Sequence, residues 1–460
     1  LSFKNVHSVY FIGIGGIGMS ALARWFKANG FRVGGYDRSA SALTGELIKE
    51  GMDLHFEDNV DLIHNDFKKK DSSLIIYTPA IPQDHQELNY FRNKNFELKK
   101  RSEVLGMITK EMYTIAVAGT HGKTTTSSMI AHLLIYAGKD CAAFLGGITV
   151  NYNTNLLLNK KKPSESMVVV EADEYDRSFL TLFPDIAVIT AIDPDHLDIY
   201  SSEDEFRKTF NDFVKQIKPG GHLFYRDHVK SDLDSYSVKS NSFGTKAGEY
   251  SANNIRIVNG DFISDVEGPG ISIKGMRLSV PGYHNIENAL AAVSVGVKLN
   301  IPAEVIKKAL AEFKGVKRRF EYIVKNNRII YIDDYAHHPT EINAFLTSVK
   351  ALYQDRKLTV IFQPHLFTRT RDFMEGFAES LSLADKVILL DIYPAREKPI
   401  PGITSQVLLD KIKSKEKKLL SKKDLLNEIE KEASGVLVTI GAGDIDQFVE
   451  PIKNILSGRR

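Results

Sequence analysis

YTIAVAGTHGKTTTSSM, residues Tyr113 to Met129, is the stretch on which the reading of this chain turns. A short apolar run ends at Ala118. Then Gly119, Thr120, His121, Gly122, Lys123, Thr124 and Thr125 lead into residues that can start a helix. Strand, tight glycine turn and helix N-terminus make a nucleotide phosphate site: glycines let the backbone approach an anion, and the unpaired N–H groups of the first helical turn point at it. Lys123 is placed to neutralise the β- and γ-phosphates of ATP or GTP, and the Thr124 hydroxyl to ligate Mg²⁺. The common GxxxxGK[ST] form has glycine where this chain has Val117, so the loop departs from that pattern. A chance Gly-Lys-Thr is the competing reading. The β-type run before it and the additional Gly119 favour a nucleotide.

Working outward, 460 residues exceed one ordinary core and suggest roughly two to four domains. A chain 43% hydrophobic and 26% charged lies in the normal range for a soluble globular protein. A net charge of +2 without a long basic block argues against nucleic-acid binding by a broad cationic surface. The lone Cys141 excludes a disulfide framework within the chain and a multi-cysteine metal site, and reads as a small buried residue. No apolar run reaches transmembrane length and no secretory signal precedes the first strand, so no membrane insertion and a cytoplasmic location are expected.

Toward the amino terminus, residues 8–13 (SVYFIG) read as a buried strand, followed by Gly13-Ile14-Gly15-Gly16-Ile17-Gly18 and a helix-compatible pattern over Met19 to Lys27. Gly13, Gly15 and Gly18 satisfy GxGxxG in its strand–turn–helix context, and a second strand, Phe31 to Tyr36, ends at Asp37. Such a loop recognises a diphosphate rather than a nicotinamide. A nicotinamide-dependent oxidoreductase, another diphosphate ligand with Asp37 near its nucleoside end, and a purely structural turn all stay open here. A further strand, Leu74 to Tyr77, leads into Thr78-Pro79-Ala80-Ile81-Pro82, where substrate loops of such sheets lie.

Beyond the phosphate loop, Val168 to Glu171 is a short strand ending in a carboxylate, with Asp173, Glu174 and Asp176 following, and Ile186 to Thr190 is another leading to Asp193-Pro194-Asp195-His196-Leu197-Asp198. In an α/β sheet both ends face the phosphate crevice, where Glu171 and His196 can complete Mg²⁺ shells beside ATP. The plain alternative is solvated loops with helix-capping acids, and imidazole is an unusual Mg²⁺ ligand. Residues 220–280 are turn-rich and β-containing. His284, Asn285 and Asn288 then lie at a helix start, suited to an adenine edge or to ordinary capping.

From Lys317-Arg318-Arg319-Phe320 onward the alternation renews, with strands at 328–332, 358–362, 387–390 and 437–440 separated by helix-like segments: a third α/β unit. Polar residues gather at its strand ends, among them Asp333, Asp334, His337, His338, His365, Arg369, Arg371 and Tyr393. Arg369 or Arg371 can clamp a carboxylate bidentately. The lysine-rich interval Lys411 to Lys431 is expected to be an exposed helix–loop–helix face.

These motifs, in this order, resemble the Mur ligase family: GIGGIGMS at 13–20, GTHGKTTT at 119–126, EADEYDRSF at 171–179, DPDHLDIY at 193–200 and GYHNIENALAA at 282–292, then KRRFE at 317–321, DDYAHHPTE at 333–341, FQPHLFTRTRDF at 362–373 and DIYPARE at 391–397. The resemblance covers almost the whole chain. It implies a Rossmann-like domain over 1–108 that holds the UDP part of UDP-N-acetylmuramate through Gly13, Gly15, Gly16, Ile17, Gly18, Asp37 and Thr78. A central P-loop ATPase-like domain over 109–316 and a Rossmann-like domain over 317–460 that closes over the nucleotide follow. The implied activity is ATP-dependent attachment of L-alanine to the lactyl carboxylate, giving UDP-N-acetylmuramoyl-L-alanine, ADP and phosphate in peptidoglycan synthesis. A murein-recycling ligase that attaches a preformed peptide is the nearest alternative.

By the same resemblance, Gly119 to Thr125 cradle ATP. Thr124 and Glu171 ligate one Mg²⁺ and His196 a second, while His284 and Asn288 lie near adenine. Arg319 and Asp334 make interdomain nucleotide contacts, with Arg318 and Asp333 as rival candidates. His365 and Arg369 fall at the amino-acid end. Two departures stand out: Leu366, where some relatives carry arginine, and Ala336, where glycine is frequent.

Overall fold

The structure is a computed structural model and describes residues 3–78, 81–193, 200, 202–233, 238–395, 397–431 and 434–458. Its first sheet contains β1 (Ser8–Ile12), β2 (Arg32–Tyr36), β3 (Asp53–His55), β4 (Ser73–Tyr77) and β5 (Glu97–Lys100) in the order β3-β2-β1-β4-β5. The central β1 is buried along its length and parallel to both neighbours. Its continuous apolar run fits a strand covered on both faces.

The second sheet contains β6 (Tyr113–Ala118), β7 (Cys141–Thr149), β8 (Thr154–Leu157), β9 (Met167–Glu171), β10 (Ile186–Ile189), β11 (His222–Arg226) and β12 (Lys239–Phe243), in the order β12-β11-β10-β6-β9-β7-β8. Here β6 lies between β10 and β9, with Ala118 opposite Ile189 and Val117 opposite Glu171. Three strand ends that are distant in sequence therefore emerge side by side at a topological switch point, where α/β sheets bind ligands. Cys141 is buried at the start of β7, and burial pushes its thiol up to about 12.

Three strands, β13 (Ser251–Val258), β14 (Asp261–Gly268) and β15 (Ile271–Leu278), form a meander. The last sheet contains β16 (Glu321–Lys325), β17 (Ile329–Asp334), β18 (Leu358–Phe362), β19 (Lys386–Leu389), β20 (Glu416–Leu419) and β21 (Gly435–Ile440), ordered β16-β17-β21-β18-β19-β20. Only β16 is antiparallel to its neighbour in this sheet.

The lysine-rich interval departs from the expected helix–loop–helix. Between the helices Ser405–Lys411 and Lys422–Ile429 the chain forms β20, paired in parallel with β19. Three of its four residues are exposed. A sheet edge tolerates lysines that a central strand would not, so composition alone hides it.

By internal contacts the chain forms two compact units, one of Leu1–Ala252, Val266–Ile273 and Asn288–Ala309, the other of Asn253–Asp265, Lys274–Glu287 and Leu310–Arg460. Within the first unit the first two sheets share one apolar cluster, including Leu22, Trp25, Leu105, Phe144, Phe179 and Phe213. Among the described residues no helix is long and apolar enough to cross a membrane.

In the second unit Glu428, 7% exposed, accepts from Lys386 at 2.8 Å, Lys418 at 2.7 Å and Lys431 at 3.3 Å. The lysine hydrogen bonds hold its carboxyl down at about 2. A depressed carboxylate stabilises the fold above its unfolded value and loses that contribution as pH falls toward the folded one. Glu428→Gln is therefore expected to cost on the order of 2 kcal/mol at pH 7. Urea titrations should show the gap to the unaltered chain closing as pH drops from about 5 to about 2.

Candidate active site

At the end of β6 the chain turns through Gly122, whose φ of +81° opens the helix Lys123–Tyr136. A side chain there would be strained, and its Cβ would lie 2.7 Å from the Asn288 Oδ1. The turn is fixed from β10. Thr190 donates its hydroxyl to the Ala118 carbonyl at 3.1 Å and also to the His121 carbonyl, while the Thr120 N–H donates to Ala191 at 3.1 Å. His121 lies 3.5 Å from Asp193, and Thr125 is buried in the first helical turn. Asn288 is at this loop too, its Oδ1 accepting the Thr126 hydroxyl at 3.1 Å, so it braces the first turn.

Two carboxylates, one ending β9 and one in the loop after it, meet this turn. Glu171 accepts the Thr124 hydroxyl at 2.9 Å and the Gly146 N–H at 2.9 Å. Only glycine permits that approach, since a Cβ on residue 146 would sit 2.4 Å from the Glu171 carboxylate. Burial pushes the Glu171 carboxyl up, against the opposing pull of Lys123 and Thr124. Lys123 donates to the Gly119 carbonyl at 2.6 Å and pairs with both Glu174 oxygens at 2.9 and 2.8 Å. Burial alone would depress this ammonium, but Glu174, Asp173 and Glu171 outweigh it and hold Lys123 above its ordinary value. His196 lies outside the described residues.

The glycine loop after β1 belongs to the same unit. Gly16 precedes the helix Ile17–Ala28, and the Gly15 N–H donates to Asp37 at 2.7 Å. Asp37 thus holds the loop itself. Thr78 packs against Gly13. A cavity of about 350 Å³ joins this loop to the phosphate site, lined by Ile17, Gly18, Arg101, Phe144, Gly146 and Glu171 among others. Arg101, which sequence reasoning missed, opens the helix Arg101–Glu111, and its guanidinium lies along Gly18. It had no motif to mark it. Only the fold brings it to the glycines.

In the second unit the neighbouring pairs part company. Arg318 donates to Asp333 at 2.9 Å and to the Gly441 carbonyl at 2.7 Å, and Thr439 donates to Asp333 at 2.6 Å. Asp333 is fully buried, which makes this an internal ion pair. Both guanidiniums lie over the Tyr335 ring, each 5.2 Å from its centroid, but Arg319 has Glu341, 3.9 Å away, as its carboxylate neighbour. Asp334 accepts the Phe320 N–H at 2.7 Å and the Ala336 N–H at 2.8 Å, and burial lifts its carboxyl to about 6. His284 folds back over Gly282, and Asn285 caps Pro281 through a 2.7 Å bond.

The ends of β18 and β19 are zipped together. Leu366 N–H donates to Tyr393 at 2.9 Å, Tyr393 N–H donates to Pro364 at 2.8 Å, and the His365 and Tyr393 rings stack 5.7 Å apart. Leu366 has φ +70°, a strained value for leucine. His365 Nδ1 is buried without a hydrogen-bond partner, and Arg369 is 9% exposed on the following helical turn. Glu397, which closes the DIYPARE motif but had no role assigned from sequence, accepts the N–H groups of Phe367 at 2.6 Å and Thr368 at 3.1 Å. Burial drives His337 down to about 4, so its ring is neutral at neutral pH. Among the described residues no three His, Cys, Asp or Glu side chains form a metal cluster.

A glycine-turn phosphate site at the switch point of a parallel sheet, opening through one cavity on a second glycine loop, defines an α/β nucleotide-binding enzyme. Comparison with known proteins goes further. Residues 8–113 match the Mur ligase family catalytic domain, 117–296 the Mur ligase middle domain and 318–443 the Mur ligase glutamate ligase domain. The chain belongs to the Mur ligase family, as its motifs implied, and its first glycine loop is thereby separated from the dehydrogenases. It is 52% identical to the UDP-N-acetylmuramate–L-alanine ligase of Cytophaga hutchinsonii, over 100% of this chain and 99% of the relative. Identity to the ligase of that name from Parabacteroides distasonis is 50%, over 99% and 98% of the two chains. The crystal structure of UDP-N-acetylmuramate–alanine ligase from Thermotoga maritima matches with a TM-score of 0.80 at 30% identity, covering 98% of this chain and 100% of that one.

The two arginines should separate experimentally. Arg318→Met removes one partner of a buried pair and is expected to lower stability by about 3 kcal/mol. Arg319→Met should leave the melting temperature unchanged and raise the KM for ATP about tenfold, read by thermal denaturation and steady-state kinetics.

Proposed function

We propose that this chain joins L-alanine to the lactyl carboxylate of UDP-N-acetylmuramate at the expense of ATP, yielding UDP-N-acetylmuramoyl-L-alanine, ADP and phosphate. One observation carries the reading: the cavity that runs from the Gly18–Arg101 end to Glu171, beside the phosphate loop. A diphosphate on the first loop and a carboxylate near Glu171 are bridged by a space the size of a sugar. The full-length similarity to enzymes named for this reaction agrees with it.

The chemistry sets the demands. A carboxylate is a poor acyl donor, and transfer of the γ-phosphoryl group makes it an acyl phosphate, which the neutral amine of L-alanine attacks with loss of phosphate. Lys123 screens the repulsion between the incoming carboxylate and the phosphates, and the backbone donors of the 119–125 turn hold the nucleotide in line. The Thr124 hydroxyl and Glu171 carboxylate, 2.9 Å apart, are the hard oxygen donors that Mg²⁺ prefers. That ion, when bound, neutralises phosphate charge during transfer. His196 serves a second ion in this reading.

Arg319 and Asp334 contact the nucleotide, His284 lies near its base, and Asn288 supports the loop that holds it. His365 and Arg369 take the amino acid, with the buried guanidinium facing its carboxylate. The neutral His337 is too weak a base, at about 4, to accept the amine proton efficiently. The reaction belongs in the cytoplasm, beside its nucleotide substrates.

The deciding measurement supplies UDP-N-acetylmuramate, ATP, Mg²⁺ and a panel of amino acids and peptides to the purified chain. Alanine-dependent ADP formation with the amide product is expected. Turnover with a tripeptide alone would instead make it a recycling ligase. Lys123→Ala is expected to reduce kcat/KM by about 10²–10³ without unfolding the chain. Arg101→Gln should raise the KM for UDP-N-acetylmuramate about tenfold and leave that for ATP unchanged.

A further inference from the structure

Lys123, the residue on which phosphate binding depends, is already held by an anion. Both carboxylate oxygens of Glu174 lie within 2.9 Å of its Nζ, and the Gly119 carbonyl accepts from the same Nζ at 2.6 Å. The pair is sheltered, since Glu174 is 1% exposed. It is also braced from outside the phosphate loop. Tyr200, itself 1% exposed, donates its hydroxyl to the Glu174 backbone carbonyl at 2.6 Å. Its ring packs edge-on against Phe206 at 4.8 Å and under the Arg177 guanidinium at 5.5 Å. Arg177 in turn pairs with Glu205 on the helix Glu203–Lys215. The loop after β9 is thus bolted down at the residue that grips Lys123.

A phosphate arriving at the 119–125 turn and the Glu174 carboxylate want the same ammonium. An ammonium has three protons, and here one is given to the Gly119 carbonyl and another to the Glu174 carboxylate. A second anion at the same lysine must either displace the first or bear its repulsion in a poorly screened site. We propose that Glu174 is a positioning residue that acts through Lys123. It holds the ammonium aimed across the turn, yields it to the nucleotide phosphate, and takes it back as product leaves. Glu174 thereby weakens nucleotide binding and favours release of ADP. This rests on the ATP-dependent reading above and adds a residue to it.

The test is direct binding rather than turnover. Glu174→Gln keeps the shape and an oxygen acceptor for Lys123 but removes the competing charge. Titration calorimetry of the full chain with ADP and Mg²⁺ is expected to show the Kd falling at least fivefold. Glu174→Asp, which keeps the charge but withdraws it by one methylene, should lower the Kd by a smaller factor and provides the reading should the Gln variant not fold. A merely structural role would move the other way, with a lower melting temperature and weaker ADP binding. An unchanged or higher Kd in a folded variant overturns the proposal. Failure of the unaltered chain to bind ADP removes it together with the ATP-dependent reading.

Discussion

A buried ammonium group needs compensation, and the centre of this molecule is arranged around where Lys123 finds it. Left alone, burial would disfavour its charged form. Three carboxylates, Glu171, Asp173 and Glu174, reverse that tendency and keep the charge in place. The compensation works because β6 lies between β9 and β10, so that the turn after one strand meets the acids after the next and the Thr190 anchor after the third. Lengthening or shifting any one of these strands by a residue would turn its terminal side chain to the opposite face of the sheet.

The molecule uses its two glycine loops differently. After β6 a left-handed glycine starts a helix whose first residues, Lys123 and Thr124, carry polar side chains. After β1 the glycines carry none, and the loop is tied to Asp37 and flanked by Arg101. One loop presents side chains at its helix start, while the other presents backbone and has positive charge from a residue of another helix. A shared apolar core keeps both in one unit, with the cavity between them.

Burial also sorts residues that look alike in the chain. Arg318 and Arg319 are adjacent and share the Tyr335 ring, yet one is locked to Asp333 and the Gly441 carbonyl and the other has Glu341, 3.9 Å away, as its carboxylate neighbour. Asp333 and Asp334 divide in the same way, one neutralised by an arginine and the other by backbone N–H groups. For the aspartates the reason is alternation, since successive residues of β17 point to opposite faces of its sheet. The arginines are parted by the turn before β16, where Arg318 takes a φ of +60°.

Much of this was legible in the chain itself. The glycine turns, their strand–turn–helix setting, the acids after β9 and the ordered motifs are local, because an anion cradle needs particular residues at fixed short spacings. Family and α/β class follow from them. Other features depended on distant partners, and even where the residue stands in a motif, as Glu174 and Glu397 do, its pairing left no local trace. Arg101 reaches Gly18, Gly146 makes room for Glu171, Glu397 caps the turn before Arg369, and Glu174 grips Lys123. Even β20 was hidden, since a sheet edge asks for a neighbour's hydrogen bonds and not for an apolar pattern. Short-range covalent spacing determines what can bind a phosphate. Only the packing of strands decides which buried charge answers which.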